Sequence, residues 1–593
     1  MTVADYILQR LVRAGVTHVF GLYGAGNAYL FDAFTREPRI TMIPTAGEQG
    51  AGFAAEGYSK ARGGALGVCV VTSGPGALNA ATSVANCFYD SVPVLFLCGQ
   101  VSTKVLRRSH SLLRQRGFQE CPTAEVFKPI AKMSVEVTDG VAAQLDGAIA
   151  VALQGRPGPV VLSLPLDILG AQVPELTESG ALAGDEIPVD RETQALCLAA
   201  LAASKRPVIL AGGGCVENAS DVRAFAERFD VPVFTTWNAL EVAPYDWSLC
   251  GGTLGTYGGG RGRNFAVQQA DFVLALGTRL SGRLFGGRPE TFLRGAQGNI
   301  WHVDVDSGVL TELQQDLVAL QRTTMHSYVG EWLRAALDAG VGASVSPMWL
   351  DDVRRWRDTY DPGKQFLWPY TFVRELSKFA QPNAVVVSEC GGNAVIFHQA
   401  WEAKLGQRIF SSHGGSAMGQ GLGLAIGAAV AEPDRPVIAL IGDGGFTLAA
   451  AELNTIRIQA ARLRNLRMFV LNNGIYGITR AWQRMNLDGR VSACGPDAAS
   501  GYEAPNVEAV CGAYGVRAAQ IALNCKSDAI ESWVDAQGPL VVGVLCPGFD
   551  PYKPRVTGWA RPLEEMLPSL PAAEFLAQMK YVEPVEGWEG RRQ

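Results

Sequence analysis

Charge is scarce in this chain. Only 18% of its 593 residues are Asp, Glu, Lys or Arg, and 51 basic residues stand against 57 acidic ones, a formal net charge of −6. No basic stripe is present to neutralise a phosphate backbone, which argues against nucleic acid as a partner. Long apolar runs are also missing. Crossing a bilayer takes about 18 apolar residues or more, and the nearest stretch, the glycine-rich Gly419–Ala431, is too short. The N-terminal residues lack the basic start, apolar stretch and small-residue cleavage site of a secretory leader. None of the twelve cysteines forms CxxC or joins a Cys/His cluster with zinc spacing. Several sit inside apolar runs, Cys69 in GVCVVTS and Cys98 in VLFLCGQ. They read as reduced, buried hydrophobes of a cytoplasmic protein.

Apolar residues and glycine are abundant. A hydrophobic content of 48% excludes a disordered chain. The 68 glycines make up about 11%, where about 7% is usual, and they show no three-residue period, which excludes a collagen-like chain. At roughly 150 residues per domain, the length gives three or four domains with cores of their own.

Three blocks alternate helical and strand-like segments. In the first, Asp5–Ala14 has helical spacing, and His18–Gly21, Ala65–Thr72 and Val92–Cys98 read as strands. Gly155–Ile168 is a turn feeding another strand. Continuous apolar runs bounded by Gly, Pro or Ser suit strands buried on both faces of a parallel sheet. The polar stretch Glu175–Glu192 reads as a linker. A second block starts near Thr193, with strands Pro207–Ala211, Val231–Thr235, Phe272–Leu276 and Trp301–Val305. A further boundary is expected near 340–365, around GVGASVSP. The third block, from about Pro369, offers Ala384–Ser388, Pro436–Ile441, Met468–Leu471 and Pro539–Leu545. This pattern predicts three doubly wound α/β domains with parallel sheets: 1–172, 190–340 and 365–546, followed by a wrapping tail at 547–593. Blocks one and three could be one architecture used twice.

The strongest chemical signal lies in the third block. The run PVIALI leads directly into Gly442-Asp443-Gly444-Gly445, and a second run, MFVL, ends in Asn472-Asn473-Gly474. Asp443 and Asn473 are 30 residues apart, one strand–helix–strand unit. Both therefore fall at C-terminal strand ends, where open α/β sheets bind ligands. A carboxylate, an amide oxygen and backbone carbonyls are hard ligands suited to Mg²⁺ bridging to a diphosphate. The flanking glycines let the backbone approach phosphate.

This pairing resembles the thiamine-diphosphate signature, GDG followed about 30 residues later by NN. The resemblance extends over nearly the whole chain. FGLYGAGN (Phe20–Asn27), AGEQGAGFAAEGYSKARG (Ala46–Gly63), TSGPGALN (Thr72–Asn79), GFQE (Gly117–Glu120) and GRPGPV (Gly155–Val160) are similar to the pyrimidine-binding domain of the acetolactate synthase-like family. SSHGGSAMGQGLGLAIGAA (Ser411–Ala429) resembles the family's segment under the cofactor.

The resemblance implies pyrimidine-binding, central and diphosphate-binding domains with thiamine diphosphate and Mg²⁺ as cofactors. Glu48 would be catalytic. In this family a glutamate hydrogen-bonds the aminopyrimidine so that its imino nitrogen can take the proton from the thiazolium carbon. Gly24, Ala25, Gly26 and Asn79 would contact the cofactor from the first domain. Gly391, Gly392, Asn393, Ser416, Gly442, Gly444, Gly445 and Tyr476 would contact it from the third. Met418 would prop it in its bent conformation. Asp443, Asn473 and the Ile475 carbonyl would hold the metal. Phe118, Gln119, Lys132, Ile478, Trp482 and Arg283 match substrate positions. In the central block AGGG (Ala211–Gly214), GGTLGTYGGGRG (Gly251–Gly262), LGTRLSGR (Leu276–Arg283) and HVDVD (His302–Asp306) resemble the family's FAD-binding domain.

The implied reaction is decarboxylation of a 2-oxo acid, most simply pyruvate, with transfer of the acyl unit to a second 2-oxo acid or a keto sugar. Simple decarboxylation and hydrolytic cleavage of a diketone use the same cofactor, and a catalytically silent cofactor-binding subunit is a non-enzymatic alternative. Active sites in this family lie between subunits, which implies a homodimer or homotetramer. Two departures bear on the acceptor. Where relatives carry YPGG this chain has Leu22-Tyr23-Gly24-Ala25, and where they carry His before the glutamate it has Gly47. Room at Gly47 and the polar Asn27 are expected to admit a larger, hydroxylated acceptor. The tail Pro547–Met579 resembles that of family members tied to sugar biosynthesis, which attach an acetyl branch to a nucleotide-activated keto sugar.

Overall fold

A computed structural model describes residues 1–106, 112–173, 186–256, 260–286, 289–311, 321–339, 345–359, 368–497, 501–521 and 527–547. The expected tail at 547–593 lies, but for its first residue, outside these. Three six-stranded sheets are present, and every strand pairing within them is parallel. The first holds β1 (His18–Gly21), β2 (Thr41–Pro44), β3 (Gly67–Val71), β4 (Val94–Gln100), β5 (Met133–Glu136) and β6 (Val160–Pro165), in the order β2-β1-β3-β4-β6-β5. The second holds β7 (Pro207–Ala211), β8 (Val233–Thr235), β9 (Cys250–Thr253), β10 (Phe272–Leu276), β11 (Ile300–Asp304) and β12 (Arg322–His326), in the order β12-β11-β10-β7-β8-β9. The third holds β13 (Val385–Ser388), β14 (Arg408–Phe410), β15 (Val437–Gly442), β16 (Leu466–Asn472), β17 (Ala518–Ile521) and β18 (Leu540–Leu545), in the order β14-β13-β15-β16-β18-β17.

The first and third sheets thus share one strand order. The central strands are the long apolar runs: every residue of β4 is buried, as are Val437–Ile441 of β15. Helices cover both faces, as the doubly wound pattern requires. The middle sheet has the dinucleotide-binding order, reversing between β7 and β10, where the crevice of such folds lies.

The first and third domains pack on each other through two helices, Glu48–Ala61 and Gln420–Ala431. Small residues bring their backbones together. A Cβ at Gly427 would lie 1.9 Å from the Ala54 carbonyl oxygen, and one at Gly57 would lie 2.1 Å from that of Leu424. One hydrophobic core runs through this seam from Phe20 and Phe96 to Ile441 and Met468. Arg408 ties all three domains. Its guanidinium donates to the Lys60 carbonyl at 2.7 Å, to Glu241 at 2.8 Å and to Glu217 at 2.5 Å.

Two segments differ from the sequence reading. The expected boundary at 340–365 contains the helix Pro347–Thr359, whose Trp349 and Trp356 are buried in the core of the middle domain. Trp356 lies against Gly262, where a Cβ would come within 1.9 Å of its carbonyl oxygen. Glycine and serine just upstream suggested a break, but two aromatic residues seven apart anchor a helix. The stretch read as a linker to Glu192 ends sooner, because Asp190 caps a helix that begins at Arg191, accepting from the amides of Glu192 and Thr193 at 3.1 Å.

Candidate active site

The third domain gathers its glycine-rich turns around two buried carboxylates. Asp443 follows β15 directly. The Gly444 amide donates to Oδ1 at 2.8 Å and the Gly474 amide to Oδ2 at 2.9 Å. The two turns that sequence spacing paired are therefore in contact. Burial pushes the Asp443 carboxyl up to about 6, against the pull of those amides. Asn473 folds its Oδ1 back to the Ile475 amide at 3.2 Å. Tyr476 stacks on Tyr502, ring centroids 3.9 Å apart. Gly444 lies close under two side chains: a Cβ would come within 2.6 Å of the Tyr476 ring and 2.9 Å of Met418 Cε, so these side chains would have to move to admit one. Met418 is thus seated directly over the Gly444 turn, partly exposed, and Ser416 just before it has a left-handed backbone, φ +52°.

The second carboxylate is Glu389, at the end of β13 and only 1% exposed. Burial pushes it up to about 7, with Asp443 adding to the effect and the Gly419, Gly421 and Gly442 amides opposing it. Gly391, with φ +84°, and Gly392 follow, and Gly392 opens the helix Gly392–Ala400. Asn393 Nδ2 donates to the Leu440 carbonyl at 3.1 Å, while its buried Oδ1 has no partner. Free amides at a helix start beside an unpartnered polar atom suit an oxyanionic ligand and its water.

In the first domain Glu48 opens the helix Glu48–Ala61, half-buried. Asn79 Nδ2 donates to Glu48 Oε2 at 3.1 Å, and Gly76 leaves space beside it, a Cβ there coming within 3.3 Å of Oε1. Gly24, Ala25 and Gly26 form the turn after β1: the Gly26 amide donates to Thr72 Oγ1 at 3.1 Å, and a Cβ at Gly24 would overlap the Thr72 side chain at 2.5 Å. Glu452 of the third domain holds the helix start. It accepts from the Gly47 amide at 3.0 Å and the Ala46 amide at 3.3 Å, and it fills the place of a Cβ at Gly50. Burial raises its carboxyl above the ordinary range.

Gly47 has extended backbone, and a Cβ there would meet only Glu452 Oε1 at 3.7 Å, so the position has room for a side chain. Asn27 does not play the part expected of it. It is fully buried, with Oδ1 accepting from the Gly24 amide at 2.9 Å and Nδ2 donating to the Leu22 carbonyl at 3.0 Å. Both ends of its amide bond its own turn, so it offers a ligand nothing.

The expected substrate residues separate into groups. Phe118 is 86% exposed, and Gln119 packs on Gly74 beyond the end of β3. Ile478 and Trp482 are one turn apart on the helix Gly477–Asn486, near the Asn473 turn. Lys132 stands apart from Phe118 and Gln119. It precedes β5, and its ammonium donates to the Gln154 carbonyl at 2.7 Å, at the opposite end of the first sheet. Arg283 belongs to a different cavity, of about 630 Å³, where the three domains meet. Gly213 and Gly214 after β7 and Gly277 to Arg279 after β10 line it at the reversal point of the middle sheet. A Cβ at Gly212 would lie 2.2 Å from the Gly277 carbonyl oxygen, so the two turns touch backbone to backbone. Arg283 lies over the Trp237 ring at 5.9 Å, and Trp237 stacks on His398, centroids 4.6 Å apart. Buried His413 and half-buried Asn238 line this cavity, and the His413 ring nitrogens and the Asn238 amide oxygen have no partner. Of the glycine-rich stretch Gly251–Gly262, Cys250–Thr253 forms the edge strand β9 and 257–259 lie outside the described residues.

Sequence reasoning missed Glu389, Glu452 and Tyr502. Glu389 precedes Gly391 and Gly392 by only two and three residues, yet its role depends on glycine turns about 30 and 55 residues away. Among the described residues no group of three or more His, Cys, Asp or Glu is placed to hold a metal. A metal here would have to rely on Asp443, the Asn473 amide, backbone carbonyls and ligand oxygens, a donor set of the kind that suits Mg²⁺.

Residues 1–126, 195–324 and 389–544 match, respectively, the N-terminal TPP binding domain, the central domain and the C-terminal TPP binding domain of thiamine pyrophosphate enzymes. The chain is 30% identical to the acetolactate synthase large subunit of Lactococcus lactis over 534 residues, covering 87% of each. It is 30% identical over 578 residues to a chloroplastic acetolactate synthase of Arabidopsis thaliana, covering 93% of this chain and 82% of the relative. Acetolactate synthase 1 of Zea mays is 32% identical over 498 residues, with coverage of 81% and 75%.

Proposed function

Because the chain belongs to the thiamine pyrophosphate enzymes, and to their acetolactate synthase-like members, we propose that it is a carboligase that decarboxylates a 2-oxo acid, most simply pyruvate, and joins the acyl unit to a carbonyl acceptor. The observation that carries this reading is the contact between the Asp443 and Asn473 turns, through the Gly474 amide and Asp443 Oδ2. When bound, thiamine diphosphate supplies a thiazolium carbon acid that serves as nucleophile and electron sink.

The residues divide the work. Asp443, Asn473 and the Ile475 carbonyl would hold Mg²⁺ and with it the diphosphate, which the Gly391–Asn393 helix start would also receive. Met418 would support the middle of the cofactor. Glu48, held by Asn79, would hydrogen-bond the aminopyrimidine and exchange a proton with it. Gly24 to Gly26 leave room for the ring. Phe118, Gln119, Ile478 and Trp482 flank the acceptor and exclude water. Lys132 and Arg283 are assigned more remote roles, Arg283 at the interdomain cavity. That cavity fits FAD: it lies at the reversal point of a dinucleotide-binding sheet, has a glycine cradle and contains unpartnered polar groups.

A homodimer or homotetramer, with Glu48 of one copy facing Asp443 of another, accounts for the exposed apolar residues on both sides of the site: Tyr23, Leu78 and Phe118 beside Glu48, and Leu448, Trp482 and Met485 near Asp443. No helix among the described residues is long and apolar enough to cross a membrane. The described cysteines are free thiols, which suits the cytoplasmic location this reading includes. The test is to incubate the protein with Mg²⁺, thiamine diphosphate and pyruvate, alone and with a panel of 2-oxo acids and keto sugars, and weigh the products. An acyloin-type adduct supports the proposal. Aldehyde alone would indicate a decarboxylase, acid from a diketone a hydrolase, and no consumption a silent subunit. An absorbance spectrum tests for flavin.

A further inference from the structure

Glu389 has a setting that its own motif does not explain. Its carboxylate is enclosed, 1% exposed, with no cation paired to it in any described salt bridge. Glycine backbone surrounds it. The Gly419 amide donates to Oε1 at 2.5 Å, and the Gly421 and Gly442 amides also point at it. A Cβ at Gly445 would lie 2.0 Å from Oε2, and one at Gly421 would lie 3.1 Å from Glu389 Cβ. Gly419 itself has φ +87°, a left-handed conformation that other residues rarely take. The turn carrying Met418 and the turn carrying Asp443 are thus fastened to one side chain.

We propose that Glu389 is a positioning residue that fixes the Met418 segment relative to the Asp443 turn, and so sets how far a bound thiamine diphosphate is bent. The inference rests on the cofactor reading above. Among the described residues no other charged side chain joins the two turns in this way, and both would shift if the carboxylate were withdrawn. The diphosphate would still find Asp443, Asn473 and the Gly392 helix start. What would suffer is the approach of the aminopyrimidine to the thiazolium carbon. A misplacement of about 1 Å at a reacting centre costs on the order of 100-fold in rate.

The test uses the full-length protein saturated with Mg²⁺ and thiamine diphosphate, comparing wild type with Glu389→Gln and Glu389→Ala. Cofactor affinity is read by tryptophan fluorescence, thermal unfolding is followed without cofactor, and proton–deuterium exchange at the thiazolium carbon is measured by acid quench and NMR. The expected result is cofactor still bound at saturation with exchange slowed by about 100-fold. Exchange within twofold of wild type in both variants would overturn the proposal, as would loss of cofactor affinity without slower exchange at saturation. If both variants fail to fold, Gly445→Ala, which pushes the carboxylate aside, must slow exchange in the same way, and unchanged exchange there overturns the proposal. Failure of wild type to bind the cofactor would instead sink the cofactor reading, and this inference with it.

Discussion

The first and third domains share a sheet order, yet they place different chemistry at corresponding turns. In the first, the loops after β1 and β3 meet through neutral groups, Gly24 and Gly26 against Thr72, and the carboxylate stands to one side, Glu48 at a half-open helix start held by Asn79. In the third, the corresponding loops after β13 and β15 enclose two buried carboxylates, Glu389 and Asp443. Topology places the loops, and the residues at the strand ends decide what they do. A half-exposed carboxylate is suited to exchanging a proton. A buried one fixed by backbone amides is suited to holding a metal or a turn in place.

The comparison is most sharply tested by removing one carboxylate from each domain. Glu48→Gln is expected to lower turnover by at least about 100-fold while the fold and Mg²⁺-dependent cofactor binding persist. Asp443→Asn is expected to weaken that binding by at least about 10- to 100-fold, the cost of removing even a group that only orients a metal ligand. Fluorescence titration beside kinetics separates the two, and equal loss of binding in both would break the distinction. The seam between the domains comes next. In an isolated helix Gly427→Ala would stabilise by about 1 kcal/mol. Here its Cβ would meet the Ala54 carbonyl oxygen at 1.9 Å, so thermal and denaturant unfolding should show destabilisation of about 3 kcal/mol.

Burial acts on bases as well, at His302 in the middle domain and His398 in the third. Both are pushed down to about 4, His302 by burial and Arg322, His398 by burial against its carbonyl contacts. A folded value below the unfolded one, about 6.5, stabilises the native state fully above about pH 6.5. That stability is lost as pH falls through about 4. Unfolding followed between pH 7 and 5 should show a loss of about 2 kcal/mol per histidine, reduced in His302→Gln. The smallest effect is expected at Gly47→Ala, where the added carbon makes only an ordinary contact. Stability should stay within about 0.5 kcal/mol, and any change should appear in the choice of acceptor.

Much of this arrangement is legible in the residues. Central strands such as β4 and β15 are continuous apolar runs, and the Asp443 and Asn473 turns stand at the ends of β15 and β16. The short edge strands are less so: β14 spans only Arg408–Phe410, β2 is half-buried, and β9 reads as a glycine turn. β2 lacks the two-sided burial that makes a strand apolar throughout, and β9, although buried, is composed of Cys, Gly, Gly and Thr, which carry no strand pattern. Asn27 illustrates a second limit, since a polar side chain beside a ligand turn can be spent on that turn. Glu389 and Glu452 illustrate a third. Their partners are backbone amides and missing side chains far away in the chain, which no local pattern records.

One measurement bears most directly on the claim that the two like-folded domains supply two halves of one site. Glu48→Gln and Asp443→Asn proteins are mixed, dissociated and reassociated, and pyruvate turnover is compared with that of each parent. Sites shared between copies predict that the mixture regains turnover neither parent has, because a hybrid contains one site with both carboxylates intact. A reassociated mixture as inactive as its parents would contradict the account.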